Sequence, residues 1–215
     1  EDILEKLLLS TIDHGIELIG NMEELCCEHY AFFPLLFEDL VQLAELEEQF
    51  LNFSFAEGLY SSSIELSRIV KELSKVEKLN LQEIPGEKLV FCLSRLVLNA
   101  ANRGADKEYL LENLAKLDKA FSECYGNLNY GNLNIESIRY RYIYLTLIAR
   151  YIHDSESLKK YLREAQKLYE RARKLQNNTK VSVELLGLIS WLYTVLGDYD
   201  EAIKFQEKVV DKCLS

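Results

Sequence analysis

The sequence predicts an all-α protein of antiparallel helical hairpins, and three observations carry that expectation. Apolar residues recur at three-and-four spacing almost throughout, the period of an amphipathic helix. Proline and glycine number two and nine in 215 residues, sparse for a fold with many strand-joining turns, while Leu, Glu, Lys and Ala dominate. No stretch shows the polar–apolar alternation of a half-buried strand. Roughly nine to eleven helices are expected from ordinary helix lengths.

Ile3, Leu4, Leu7, Leu8, Thr11, Ile12, Gly15, Ile16 and Ile19 form one buried stripe, and a second helix begins near Met22. Pro34 suits the first turn of the next helix, where its missing N–H costs nothing. That helix carries Phe37, Leu40, Val41, Ala44 and Phe50/Leu51. Ser61–Ser63 marks a boundary or lies inside a longer helix running through Leu66, Ile69, Val70, Leu73 and Val76. Pro85-Gly86 is the clearest break in the first half. Leu89 to Ala100 form another stripe, stopped near Asn102-Arg103-Gly104, and Leu110 to Cys124 the next. YGNLN, written twice over 125–134, reads as a loop. Helices are expected at about 136–152, 156–176, 181–196 and 199–213. The chain reads as one all-helical domain over 1–215, or as an irregular bundle at 1–84 succeeded by regular hairpins at 87–215.

The stretch LGDYDEAIKF, Leu196–Phe205, supplies the parts of a hairpin. Gly197 can take the positive φ that ends a helix, and Asp198 or Asp200 can cap the next. With Leu186, Ser190, Tyr193, Tyr199 and Ala202 at their spacings, it resembles the tetratricopeptide repeat, a 34-residue helix-turn-helix. Arg163–Leu175, with Ala165 and Ala172 seven apart, resembles the second helix of the preceding repeat, whose first helix would be 139–152 with Thr146 at the small position. The resemblance covers about 139–213. It implies a right-handed superhelix of stacked hairpins, irregular in the N-terminal half, with Tyr199 filling the hairpin corner. A non-repeat bundle over 1–138 carrying two docked repeats is the alternative topology.

Composition limits the function classes. No run reaches the ~20 apolar residues of a membrane span, and the acidic start EDILEKLLLS lacks the basic opening of a signal peptide. Five cysteines, an odd number, suit reduced thiols and a cytoplasmic setting. Cys26-Cys27-Glu28-His29 lacks the second pair that a zinc site needs, and His14 and His153 stand without ligand partners, so no metal or cofactor is expected. With no nucleophile motif or phosphate loop, and acid pairs such as Glu23/Glu24 and Glu47/Glu48 reading as solvated faces, an enzyme is not expected.

What remains is binding. The net charge of −10 is unevenly spread: residues 1–60 hold 14 acids and one base, whereas 139–180 hold 11 bases and four acids. In the tetratricopeptide register, Tyr140, Leu147, Arg150 and Tyr151 of one first helix, and Glu184, Gly187, Trp191, Thr194 and Val195 of the next, would line a concave groove for a protein segment. Trp191, the sole tryptophan, is the natural anchor if exposed. Glu184, Gly187 and Leu188 depart from the family's carboxylate-gripping set, which argues against C-terminal-tail binding. The chain thus reads as an adaptor, a scaffold or the ligand-sensing part of a larger regulator, with a homo-oligomer as a further option. The alternative is nucleic-acid binding by the basic, Tyr-rich 139–180 region, with Arg139, Arg141 and Arg150 as its basic patch.

Overall fold

The computed structural model describes residues 32–75, 83–126, 130–175 and 179–214. Among them the chain forms eight α-helices and a 3-10 turn, and no strand. The helices are α1 (Phe33–Gln49), α2 (Phe53–Ser74), α3 (Gly86–Asn102), α4 (Lys107–Tyr125), α5 (Ile135–Tyr151), α6 (Ser155–Lys174), α7 (Thr179–Leu196) and α8 (Tyr199–Leu214), with the 3-10 turn at Tyr130–Asn132 between α4 and α5. The helices expected at 3–19 and from Met22, together with His14, Cys26, Cys27 and His29, lie outside the described residues.

Local chemistry sets the helix starts. Pro34 occupies the first turn of α1, and Pro85 precedes α3. Asp106, Asn134 and Asp154 cap α4, α5 and α6, each accepting the N–H of the residue three ahead at 2.8 Å. Ser61–Ser63 does not interrupt α2. The Ser62 and Ser63 hydroxyls donate to the carbonyls of Gly58 and Leu59 at 3.0 and 2.9 Å, so these residues remain compatible with helical backbone.

Three turns close in the same way. The N–H of Gly197 donates to the Thr194 carbonyl and that of Asp198 to Tyr193. Gly104 and Ala105 repeat this with Ala101 and Ala100, and Leu51 and Asn52 repeat it with Glu48 and Glu47. This is the Schellman closure, which places one residue in the left-handed region. Gly197 has φ 82°, Gly104 φ 77° and Leu51 φ 62°. Hairpin turns of one geometry thus extend back to α1–α2, well before the region where the sequence pattern is recognisable. The α5–α6 connection differs: Ile152 is extended, with φ −103° and ψ 125°.

Consecutive helices pack against one another, and two further contacts skip a helix: α3 meets α5, and α5 meets α7. A continuous apolar core runs from Phe33 to Leu192 through Leu93, Phe121, Leu145 and Leu168. No described helix is long and apolar enough to cross a membrane.

Charged groups stitch the layers where side chains alone would leave gaps. The Glu48 carboxylate of α1 accepts from Arg95 and Asn99 of α3. Glu57 of α2 accepts from Arg103 at 2.5 and 2.9 Å and from the Tyr109 hydroxyl at 2.6 Å. Burial pushes the Glu57 carboxyl up, but the Arg103 and Tyr109 hydrogen bonds and the Arg103 charge outweigh it, leaving the group below its ordinary pKa. Arg141 of α5 joins Asp118 of α4 to Glu164 of α6, its guanidinium 5.3 Å from the Phe121 ring centre and 4.3 Å from that of Tyr144.

Candidate functional site

The last hairpin shows how the repeat signature positions surface residues. Leu186 is fully buried, and Ala202 is buried at the helix crossing. Ser190 packs at the small position and donates its hydroxyl to the Ala202 carbonyl at 2.8 Å, tying α7 to α8. The Tyr193 ring stacks on Phe205 at 5.5 Å, and its hydroxyl accepts from Gln166 of α6 at 2.9 Å. Ala165 and Ala172 are buried on α6. One expectation fails. Tyr199 is 64% exposed and does not fill the hairpin corner, which the Tyr193–Phe205 stack closes instead. At the first position of α8, Tyr199 points away from α7.

On α5 the expected groove residues divide. Leu147 is only 3% exposed and belongs to the core; Tyr140 is half-buried, its ring edge-on to Phe91 of α3 at 6.0 Å; Tyr151 is half-buried. Arg139 and Arg150 are exposed on α5, whereas Ile143 and Thr146 are only partly exposed and Ile143 packs against the core. Arg139 and Arg150 share one face because 11 residues complete almost three whole turns. Arg141 lies on the inward side of α5, with its paired carboxylates on α4 and α6. Arg141 therefore drops out of the expected basic patch: its side chain is 7% exposed and both partners neutralise it. The hydrogen bonds and opposite charges of Glu164 and Asp118 outweigh its burial and hold the guanidinium protonated beyond its ordinary range.

On α7, Glu184, Gly187, Trp191, Thr194 and Val195 fall on one stripe by their spacing. Trp191 is 39% exposed and Val195 44%, while their neighbours Leu188, Ile189 and Leu192 are buried. The Thr194 hydroxyl is turned to the Ser190 carbonyl at 3.0 Å. The α5 and α7 stripes meet near Tyr142. Burial raises the pKa of its hydroxyl, Glu184 adds to the rise and Arg150 opposes it. Tyr142, Arg150 and Glu184 are therefore electrostatic neighbours across α5 and α7. Glu184 also holds one carboxylate oxygen, Oε2, buried with no hydrogen-bond partner among the described residues. The face thus combines an aromatic anchor, a guanidinium in the last turn of α5, and an unsatisfied acceptor.

Sequence reasoning missed the Arg141 cluster and the Leu51 turn. Of the expected α5 groove residues, Leu147 is buried in the core. No family model, curated protein or solved structure matches this chain.

Proposed function

We propose that this chain is a non-catalytic interaction module, an adaptor or the sensing part of a larger regulator, binding an extended protein segment across α5 and α7. In this reading its hairpins stack as a tetratricopeptide-like superhelix with the odd-numbered helices inside. The α3–α5 and α5–α7 contacts and the three matching turns support that arrangement. The observation that carries the reading is Trp191, solvent-facing on a helix whose other large apolar side chains are mostly buried. A partly exposed Trp is a frequent binding hot spot. The occupant is a segment with an apolar side chain for Trp191 and a neighbouring acidic side chain for Arg150.

Trp191 is the only tryptophan, so its emission reports the face directly. Titration with acidic decapeptides carrying one aromatic residue should shift that emission. Labelled peptide read by anisotropy should bind Trp191→Ala and Arg150→Glu at least ~10-fold more weakly, with helical circular dichroism unchanged. Peptides that leave the emission unmoved, or bind both variants as well as wild type, would defeat the proposal.

A further inference from the structure

A second surface, away from the α5–α7 face, carries a different chemistry. An open cleft of about 440 Å³ lies between α6 and the 3-10 turn. Arg163, Lys167, Arg171 and Lys174 of α6 line it, with Tyr130 from the turn and a single carboxylate, Glu170. That carboxylate is already committed: Arg173 pairs with it at 3.2 Å. Arg163 and Lys174 have no hydrogen bond or ion pair among the described residues. Arg171 gives its Nε to the Leu133 carbonyl at 2.9 Å, which fixes the guanidinium while leaving its two terminal nitrogens for the cleft. Lys167 stands 5.3 Å from the centre of the Tyr130 ring. The Tyr130 hydroxyl is pushed up to about 12, first by burial and then by the adjacent Glu164, so it stays protonated and adds no negative charge.

A structural account explains only part of this. Cations in the last helical turn offset the dipole of α6, which suits Arg171, Arg173 and Lys174. Arg163 and Lys167 lie too far from that end to gain from it, since the effect fades within a turn. Together the four cations cover about 16 Å of one helix face. The whole chain is acidic, yet its charge is screened beyond ~8 Å at physiological ionic strength, so the local patch governs what approaches the cleft.

We infer that this cleft binds a small ligand with adjacent phosphate groups. Four cations around so small a volume call for several negative charges placed close together, and guanidinium forks match phosphate oxygens in pairs. The volume is that of a small-molecule site. The Tyr130 face that a nucleobase would stack on is taken by Lys167, which favours a compact polyphosphate over a nucleic-acid strand.

The test is calorimetric titration of the full chain with inorganic tripolyphosphate at 150 mM salt. Wild type should bind, and Arg163→Gln/Lys167→Gln should weaken binding about 100-fold, given the strength of two charged hydrogen bonds. Lys107→Gln/Lys119→Gln, which removes equal charge from α4, should stay within about threefold of wild type on the same argument. All four side chains are exposed, so thermal melts should show each variant folded. Absence of binding, or equal loss in both variants, would overturn the inference. So would equal affinity for a polyglutamate peptide, which would assign the cleft to carboxylates. Tighter binding of single-stranded RNA, steeply salt-dependent, would assign it to nucleic acid instead.

Discussion

The hairpins α5–α6 and α7–α8 share a register yet differ in what covers them. At matching first-helix positions, Leu147 is 3% exposed and Trp191 39%; at matching second-helix positions, Leu162 is 8% exposed and Tyr199 64%. The crossing alanines, Ala165 and Ala202, are buried in both. Helices α4 and α7 enclose the first hairpin, whereas among the described residues only preceding elements touch the second. Within each hairpin the buried alanine sits where the second helix crosses the first. Whether a hairpin's outward positions become core or surface depends on the next element.

The same contrast separates the charged interiors. Arg141 is sealed between Asp118 and Glu164, while the Lys204–Glu201 pair on α8 is exposed. Removing one partner from a buried pair strands the others without compensation. Arg141→Ala should cost about 3–5 kcal/mol by urea denaturation. The double variant Arg141→Met/Glu164→Gln should recover part of that loss. If Arg141→Ala costs less than Ser190→Ala, for which about 1 kcal/mol is expected, the buried cluster is not what holds α4, α5 and α6 together.

Acid should separate the regions next. The Glu57 carboxyl, bonded to Arg103 and Tyr109, has a folded pKa below its ordinary value. A depressed carboxyl contributes stability that is complete above the unfolded value of ~4.3 and is lost as pH falls through the folded value. Stability should therefore decline as the pH drops below that unfolded value, and Glu57→Gln should flatten this part of the profile. Hydrogen exchange should show α2 and α3 loosening in acid before the Ser190–Ala202 tie between α7 and α8, which involves no ionisable group.

Much of the fold is legible because helical periodicity and capping are local. Asp106, Asn134 and Asp154 announce their helices within four residues, and Gly197 announces its turn. Leu51 could not be read as a turn because leucine does not favour positive φ; only the surrounding hydrogen bonds place it there. Arg141 was unreadable for a different reason. In the run IRYRYIY it looks like its neighbour Arg139, and its carboxylates lie 23 residues away on either side. Arg141 and Leu147 are buried while Arg139 and Arg150 stay exposed. Long-range pairing of this kind is not encoded in periodicity. Trp191 was readable as a candidate anchor, but its exposure is set by whether another element packs on the outer side of its hairpin.

The three matching turns allow a finer comparison. Leu51 does at φ 62° what Gly197 does at φ 82°, and a side chain in the left-handed region costs roughly 1–2 kcal/mol. Gly197→Ala should lose about 1 kcal/mol, although space around its Cβ is open. Leu51→Gly should gain a similar amount: its side chain is 72% exposed and little packing is lost. Melting curves for the two variants should move in opposite directions. Parallel shifts would mean that contacts rather than backbone conformation decide these turns.

The smallest stability effect should fall at the residue with the largest expected effect on binding. Leu147→Ala empties a core position and should cost about 2–5 kcal/mol, whereas Trp191→Ala at the matching position should cost less than about 1 kcal/mol because part of the ring already meets water. A binding anchor is kept where it stabilises little in the free protein and is buried only when its partner arrives. Equal losses at the two positions, measured by denaturant midpoint, would mean that Trp191 is a core residue with an exposed edge. A small loss at Trp191 with peptide binding abolished would place its contribution in the complex.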